Sequence, residues 1–191
     1  MAGVILVRHA LPAIERGVSS TLWRLGESAL EDCVLLAHGL PGQLGPKVFT
    51  SNQPKVVQTA GVIALRRGLE VVKDSRLREV EQNHTWIEDY RAAAVDYLKH
   101  GPRGEAAGWE PHDRVVERFG AGVEHAIEAN GDSPGDVLVV NHGLAMSLWL
   151  ASRVEIPLAE WWRDLTLPDA WRVDLATQAV EHLWLGGRSA D

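Results

Sequence analysis

Val4-Ile5-Leu6-Val7-Arg8-His9-Ala10 runs four large apolar residues into an arginine and a histidine. Val137-Leu138-Val139-Val140-Asn141-His142-Gly143 does the same much later in the chain, again ending on a histidine. Continuous β-branched and aliphatic runs of this length read as strands buried on both faces, the signature of a parallel sheet. Ligands of open α/β sheets bind outside the carboxyl ends of the strands. Both imidazoles, with Arg8 beside the first, are therefore expected at one anionic pocket.

Between these strands the periodicity alternates. A helix is expected from about Glu27 to Leu40, with apolar residues at helical spacing and Gly39 near its end. Lys47-Val48-Phe49-Thr50 reads as a short strand running into Ser51-Asn52-Gln53-Pro54, a capping side chain followed by proline in the first turn of a helix reaching Arg67. Leu69–Val72 is a further strand, and residues 84–118 read as two helical stretches around Gly101-Pro102-Arg103-Gly104. A helix through Val115, Phe119, Val123 and Ile127 ends at Asn130-Gly131, and another follows His142 to about Arg153. A strand pair near 170–175 and 179–184 closes the chain as a hairpin. Short links between alternating strands and helices predict one α/β domain over 1–191: a three-layer, doubly wound, mostly parallel sheet with a helical cover segment around 84–118.

The whole-chain numbers narrow the partners. The 191 residues suffice for one hydrophobic core, and 46% are apolar against 24% charged. A formal charge of -7 argues against nucleic acid or an anionic membrane as partner, both of which require a basic face. It leaves room for a small anionic substrate, because a local cation cluster dominates inside a cleft. The single cysteine, Cys33, reads as a buried thiol. No signal peptide and no membrane-spanning stretch is read, so a cytoplasmic protein is expected. Of eight tryptophans, Trp149, Trp171 and Trp184 read as core, whereas the Trp161-Trp162 pair could instead line a groove or a subunit contact; a homodimer is compatible with the chain.

Four short segments carry the chemistry. A strand-end histidine such as His9 acts as a nucleophile when one ring nitrogen is pinned and the other kept open, and Arg8 offers a planar fork for phosphate oxygens. Thr50 to Ala60 leads a strand into a helix start, where backbone N–H groups and Lys55 favour an anion. Leu77-Arg78-Glu79 supplies a carboxyl suited to general acid work, with Glu81 as a competitor. His142-Gly143 allows close backbone approach beside a second imidazole. The helix residue His125 reads as packing or surface, while His84 and His112 fall in the cover segment, where substrate contact is an option. Trp86, Tyr90, Tyr97 and Trp109 suggest a partly aromatic pocket wall.

In this order and spacing the four segments resemble the histidine phosphatase superfamily, in its phosphoglycerate mutase-like branch. The family's Arg-His-Gly matches Arg8-His9-Ala10, and its Ser-Ser-x-x-x-Arg-x-x-Gln-Thr-Ala matches Thr50 to Ala60. Its Leu-x-Glu matches Leu77-Arg78-Glu79, and its Ser-His-Gly matches Asn141-His142-Gly143. The resemblance implies that His9 is the phosphorylated nucleophile and Glu79 the proton donor. It implies that Arg8, Lys55 and His142 hold the phosphoryl oxygens, with no cofactor and no metal. Lys55 stands where the family has arginine, Ala10 where it has glycine, and Asn141 where it has serine. The expected activity is hydrolysis of a small phosphate ester through a phosphohistidine. The alternatives are mutase-type phosphotransfer, a phosphohistidine phosphatase of proteins, or a catalytically weakened phosphometabolite-binding protein.

Overall fold

The computed structural model describes residues 3–83, 86–184, 186 and 187. Its sheet contains β1 (Val4–Arg8), β2 (Leu44–Thr50), β3 (Glu70–Lys73), β4 (Asp136–Asn141), β5 (Asp169–Val173) and β6 (Val180–His182) in the order β3-β2-β4-β1-β5-β6. The strands β1 to β4 are mutually parallel, β5 runs antiparallel to β1, and β6 antiparallel to β5. Parallel neighbours need crossovers, supplied here by α1 (Ala29–Gly39), α2 (Pro54–Arg67), α3 (Tyr90–His100) and α4 (His112–Asn130). Helices α5 (Gly143–Ala151) and α6 (Leu158–Asp164) follow β4.

Side-chain alternation splits the core in two. Ile5, Val7, Leu138 and Val140 pack against Leu36 and Ala37 of α1 and Val56, Ala60 and Ile63 of α2. Val4, Leu6, Val137 and Val139 face the opposite way, onto Phe119 of α4, Leu144 and Trp149 of α5 and Trp162 of α6. With both faces covered, β1 is buried along its length and β4 from Val137 onward, which is why they read as unbroken apolar runs. The three-layer, mostly parallel architecture is the one expected.

Two local readings change. Helix α6 was not anticipated: it is seven residues long and enters through Pro157, below the length at which periodicity is visible. In the cover segment, Tyr97 and Trp109 are core residues, 0% and 2% exposed, rather than pocket wall. Among the tryptophans expected in the core, Trp149 is fully buried, whereas Trp171 and Trp184 are half-buried and pack against its edges. His84 lies outside the described residues. Among the described residues no helix is long and apolar enough to cross a membrane.

Candidate active site

Strand register does the first assembling. Arg8 of β1 pairs with Asn141 of β4, so both strands end at one level. The His9 amide donates to the Asn141 carbonyl at 3.0 Å, extending the ladder by one residue. The two imidazoles then meet edge to face with ring centroids 5.4 Å apart. His9 Nδ1 lies 2.8 Å from the Ala10 carbonyl. A carbonyl only accepts, so Nδ1 carries the proton and the lone pair is left on Nε2. His142 Nε2 contacts the Ser51 hydroxyl at 2.9 Å, and its Nδ1 is buried without a protein partner. Burial, reinforced by the charges of Lys55 and Arg8, pushes both imidazoles well below the ordinary histidine value. Both rings are therefore neutral at pH 7.

Two cations stand around them. Arg8 is 9% exposed, and its Nη1 donates to the Leu165 carbonyl at 2.8 Å while its Nε has no protein partner. Its close approach depends on Gly143: a Cβ there would stand 3.0 Å from Arg8 Nε and 3.0 Å from Trp162 Nε1. That indole N–H is itself buried and unpartnered. Lys55 Nζ donates to the Ser20 carbonyl at 2.5 Å and to Gln53 Oε1 at 3.3 Å, and lies 5.9 Å over the Trp23 ring. Burial lowers the Lys55 pKa to about 8, with Glu79 pulling the other way. The α2 N-terminus itself departs from expectation. The Lys55 amide donates to the Trp23 carbonyl and those of Val56 and Val57 to Gln53, so this end anchors the loop after β1 rather than offering open N–H groups.

The helix end that does face a carboxylate is that of α5. Amides of Leu144 and Ala145 reach Glu79 Oε2 and Oε1 at 3.2 and 2.8 Å, and the Val80 amide adds a third bond at 2.9 Å. Burial nevertheless dominates and raises the Glu79 pKa, against the pull of these amides and of Lys55. Glu81, the competitor, is exposed and pairs with Arg78 at 2.7 Å.

Arg118 of α4, which sequence reading passed over, braces the Glu79 loop. It donates to the carbonyls of Arg76 (2.7 Å), Arg78 (2.9 Å) and Glu79 (3.4 Å) and grips both oxygens of Glu110 through Nε and Nη2, at 2.9 and 2.6 Å. Thr59 braces the other side: its hydroxyl accepts from the Ala10 amide at 3.2 Å and donates to the Lys55 carbonyl at 2.9 Å. Gln58 accepts the Leu25 amide at 2.9 Å and so holds the same loop. The Gln-Thr pair of the motif therefore works through the backbone. An i to i+4 hydroxyl bond of this kind is visible in sequence only as a threonine on a helix.

Arg8, His9, Lys55, Glu79 and His142 all line one cavity of about 550 Å³. Trp86 and Tyr90 join them as expected, and Trp23 and Trp162 complete the aromatic wall in place of Tyr97 and Trp109. Trp162 supplies the groove-lining option, and Trp161 packs on Trp171 with ring centroids 5.4 Å apart. His112 bonds the Tyr97 carbonyl at 2.9 Å and packs on that ring, away from the cavity; His125 bonds Asp74 at 3.0 Å, in keeping with its structural reading. Among the described residues no group of three His, Cys, Asp or Glu side chains is arranged to hold a metal ion.

Residues 4–174 match the family model of the histidine phosphatase superfamily (branch 1). The probable phosphoglycerate mutase GpmB of Yersinia enterocolitica is 28% identical over 168 residues, covering 82% of this chain and 77% of that protein. The solved structure of a mycobacterial glucosyl-3-phosphoglycerate phosphatase superposes with a TM-score of 0.72 at 20% identity, over 100% of both chains. A phosphoglycerate mutase from Bacillus anthracis superposes at 0.67 and 18% identity, over 97% of this chain and 94% of that one. At such identities the structural likeness is one of fold, and the match to the family model carries the assignment. A chain with these four segments in order around one cavity, matched over residues 4–174, belongs to the histidine phosphatase superfamily, branch 1.

Proposed function

We propose that the protein is a metal-independent phosphatase that hydrolyses a small phosphate ester through phospho-His9. The observation that carries this reading is the pinned imidazole: the Ala10 carbonyl holds Nδ1–H, so Nε2 presents its lone pair beside Arg8, Lys55 and His142. In the first step the Nε2 lone pair forms the P–N bond as the P–O bond to the leaving alkoxide breaks, and Glu79 gives its proton to that oxygen. In the second step Glu79, now a carboxylate, takes a proton from water. The resulting hydroxide displaces His9 from phosphorus and releases inorganic phosphate. Arg8, Lys55 and the His142 ring hold the three equatorial oxygens, where charge spreads during transfer. A carboxyl with a raised pKa is suited to start the cycle protonated. The neutral state of His9 suits it to start unprotonated on Nε2.

Enzymes of this superfamily divide between phosphatases and mutases, and the GpmB relatives carry the name of probable phosphoglycerate mutases. A mutase passes the phosphoryl group to a second hydroxyl rather than to water. Hydrolysis is favoured here because the wall beyond the phosphate end is largely apolar, including Leu11, Ile14, Val18 and Ile87. A cytoplasmic setting belongs to the same proposal.

The test is acid-labile phosphorylation of the protein by a phosphate ester, measured together with phosphate release in a metal chelator. His9→Ala is expected to abolish both. Chelator-resistant hydrolysis persisting in that variant refutes the mechanism, and quantitative transfer to an added alcohol in place of phosphate release refutes the phosphatase assignment.

A further inference from the structure

The far half of the cavity is built for something a phosphoryl group does not use. Leu11, Ile14, Val18 and Trp23 approach from the loop after β1, and Trp86 and Ile87 from the segment before α3. Ile14 is 58% and Trp86 39% exposed, and Val18 and Tyr90 also leave apolar surface open at this mouth. Open apolar surface on a cavity wall, continuous with a buried cation site, is surface waiting for a ligand. A cavity of about 550 Å³ is of the size that encloses a ligand of many heavy atoms.

The charges at the mouth say what that ligand does not carry. Glu88 and Asp89 line it together with Arg91 and Arg163, and with Arg16 paired to Glu88 and Asp164 to Arg163 the charges balance, so the mouth holds no excess of positive charge for a second anionic group. The cations there are committed to protein groups. Arg91 donates to the Arg163 carbonyl at 3.1 Å, and Arg163 Nε pairs with Asp164 at 3.2 Å. Arg16 reaches across from the first loop, pairing with Glu88 at 2.9 Å and lying 4.8 Å over the Trp86 ring. That clasp joins the two apolar loops across the opening.

We infer that the substrate is the phosphate monoester of a bulky apolar or aromatic alcohol without a second anionic group, and that Ile14, Val18 and Trp86 select it. The inference rests on the phosphatase reading above and deepens it. The phosphoryl group seats among Arg8, Lys55, His9 and His142, and the alcohol portion lies along the apolar wall under the Arg16–Glu88 clasp. It sets this chain apart from an enzyme of phosphoglycerate, whose carboxylate needs an excess of positive charge beyond the phosphate end.

Two alkyl esters with similar leaving oxygens test it: 2-naphthylmethyl phosphate and 3-phosphoglycerate. The first is expected to show a kcat/KM at least about tenfold higher, a difference of ~1.4 kcal/mol. In Ile14→Asp and Trp86→Ala the ratio between the two esters is expected to fall at least about fivefold, mainly through KM. Both positions are exposed enough for the variants to fold, which a thermal melt verifies. Equal or reversed preference overturns the inference, as does a ratio unmoved in both variants. If neither ester is hydrolysed and no phosphohistidine forms, the phosphatase reading has failed. Calorimetry then still decides the pocket: tighter binding of 2-naphthylmethylphosphonate than of 3-phosphoglycerate supports the inference, and equal or weaker binding overturns it.

Discussion

Lys55 is the group most sharply defined by its surroundings, and pH reads it directly. Burial brings its pKa from 10.5 to about 8, a bias toward the neutral amine of roughly 3 kcal/mol relative to water. The ammonium is then about nine-tenths populated at pH 7 and about one-tenth at pH 9. Removing one preorganised donor from a transition-state oxyanion costs about 100- to 1,000-fold, so activity follows the charged fraction. The kcat/KM for an aryl phosphate, already a dianion in this range, is expected to fall about tenfold between pH 7 and pH 9, with a midpoint near 8. Because kcat/KM reports the free enzyme, a bound dianion does not mask the titration. In Lys55→Arg the guanidinium stays charged, and the profile is expected to be flat over that interval. Turnover at pH 7 is expected to be kept or raised. A limb with the same midpoint in Lys55→Arg, or none in the wild type below about pH 9.5, refutes the assignment. A loss of more than about tenfold in Lys55→Arg, ~1.4 kcal/mol of barrier, means the Ser20 carbonyl and Gln53 fit only an ammonium. The linkage has a definite sign as well. The folded value lies below the unfolded one, so charge burial lowers stability fully below pH 8, and that cost is relieved as pH rises toward 10.5.

Two further variants address the acid and its brace. Glu79→Gln is expected to lower kcat/KM, which reports phosphorylation of His9, at least about 100-fold for an alkyl phosphate and less than about tenfold for p-nitrophenyl phosphate, since a phenolate leaves without a proton; equal losses in kcat/KM on both esters refute the role. In the wild type, alkyl ester kcat/KM is expected to decline as pH rises through the raised Glu79 pKa, because the protonated form is the competent one. Arg118→Ala, which frees the carbonyls of Arg76, Arg78 and Glu79, is expected to lower kcat about tenfold and to move the midpoint of that limb. Arg118→Lys is expected to recover part of the loss. A lower melting temperature with an unmoved pH profile would reduce Arg118 to a structural residue.

The parts of this protein that sequence reveals are those whose physics is local. β1 and β4 announce themselves because burial on both faces demands unbroken apolar residues, and α2 because Pro54 and Gly68 mark its ends, Gly68 at φ 67°. His9 and His142 follow from where those strands stop. What escaped depends on pairings distant in the chain. Trp162 reaches the cavity on the seven-residue α6, and Arg8 is fixed by the Leu165 carbonyl just beyond that helix. Arg118 looks like any helix arginine until α4 packs beside the Glu79 loop. Tyr97 and Trp109 lie in the right segment but turn inward, because their rings fill the core above β1 and β4 instead of the cavity. The open amides expected at α2 are taken by backbone carbonyls, a competition among neighbours that no motif records.

The Thr59 hydroxyl, receiving from Ala10 and giving to Lys55, makes a mechanical statement about this family member. The turn that follows the nucleophile and the first turn of α2 are joined by one oxygen atom, so neither can drift without dragging the other. A lysine is a shorter lever and a looser grip than an arginine, and here its root is moored to the very loop whose histidine it serves. Adaptation at position 55 is thereby confined to the reach of one side chain. Alteration at position 59, which touches no substrate, would slacken attack and grip together.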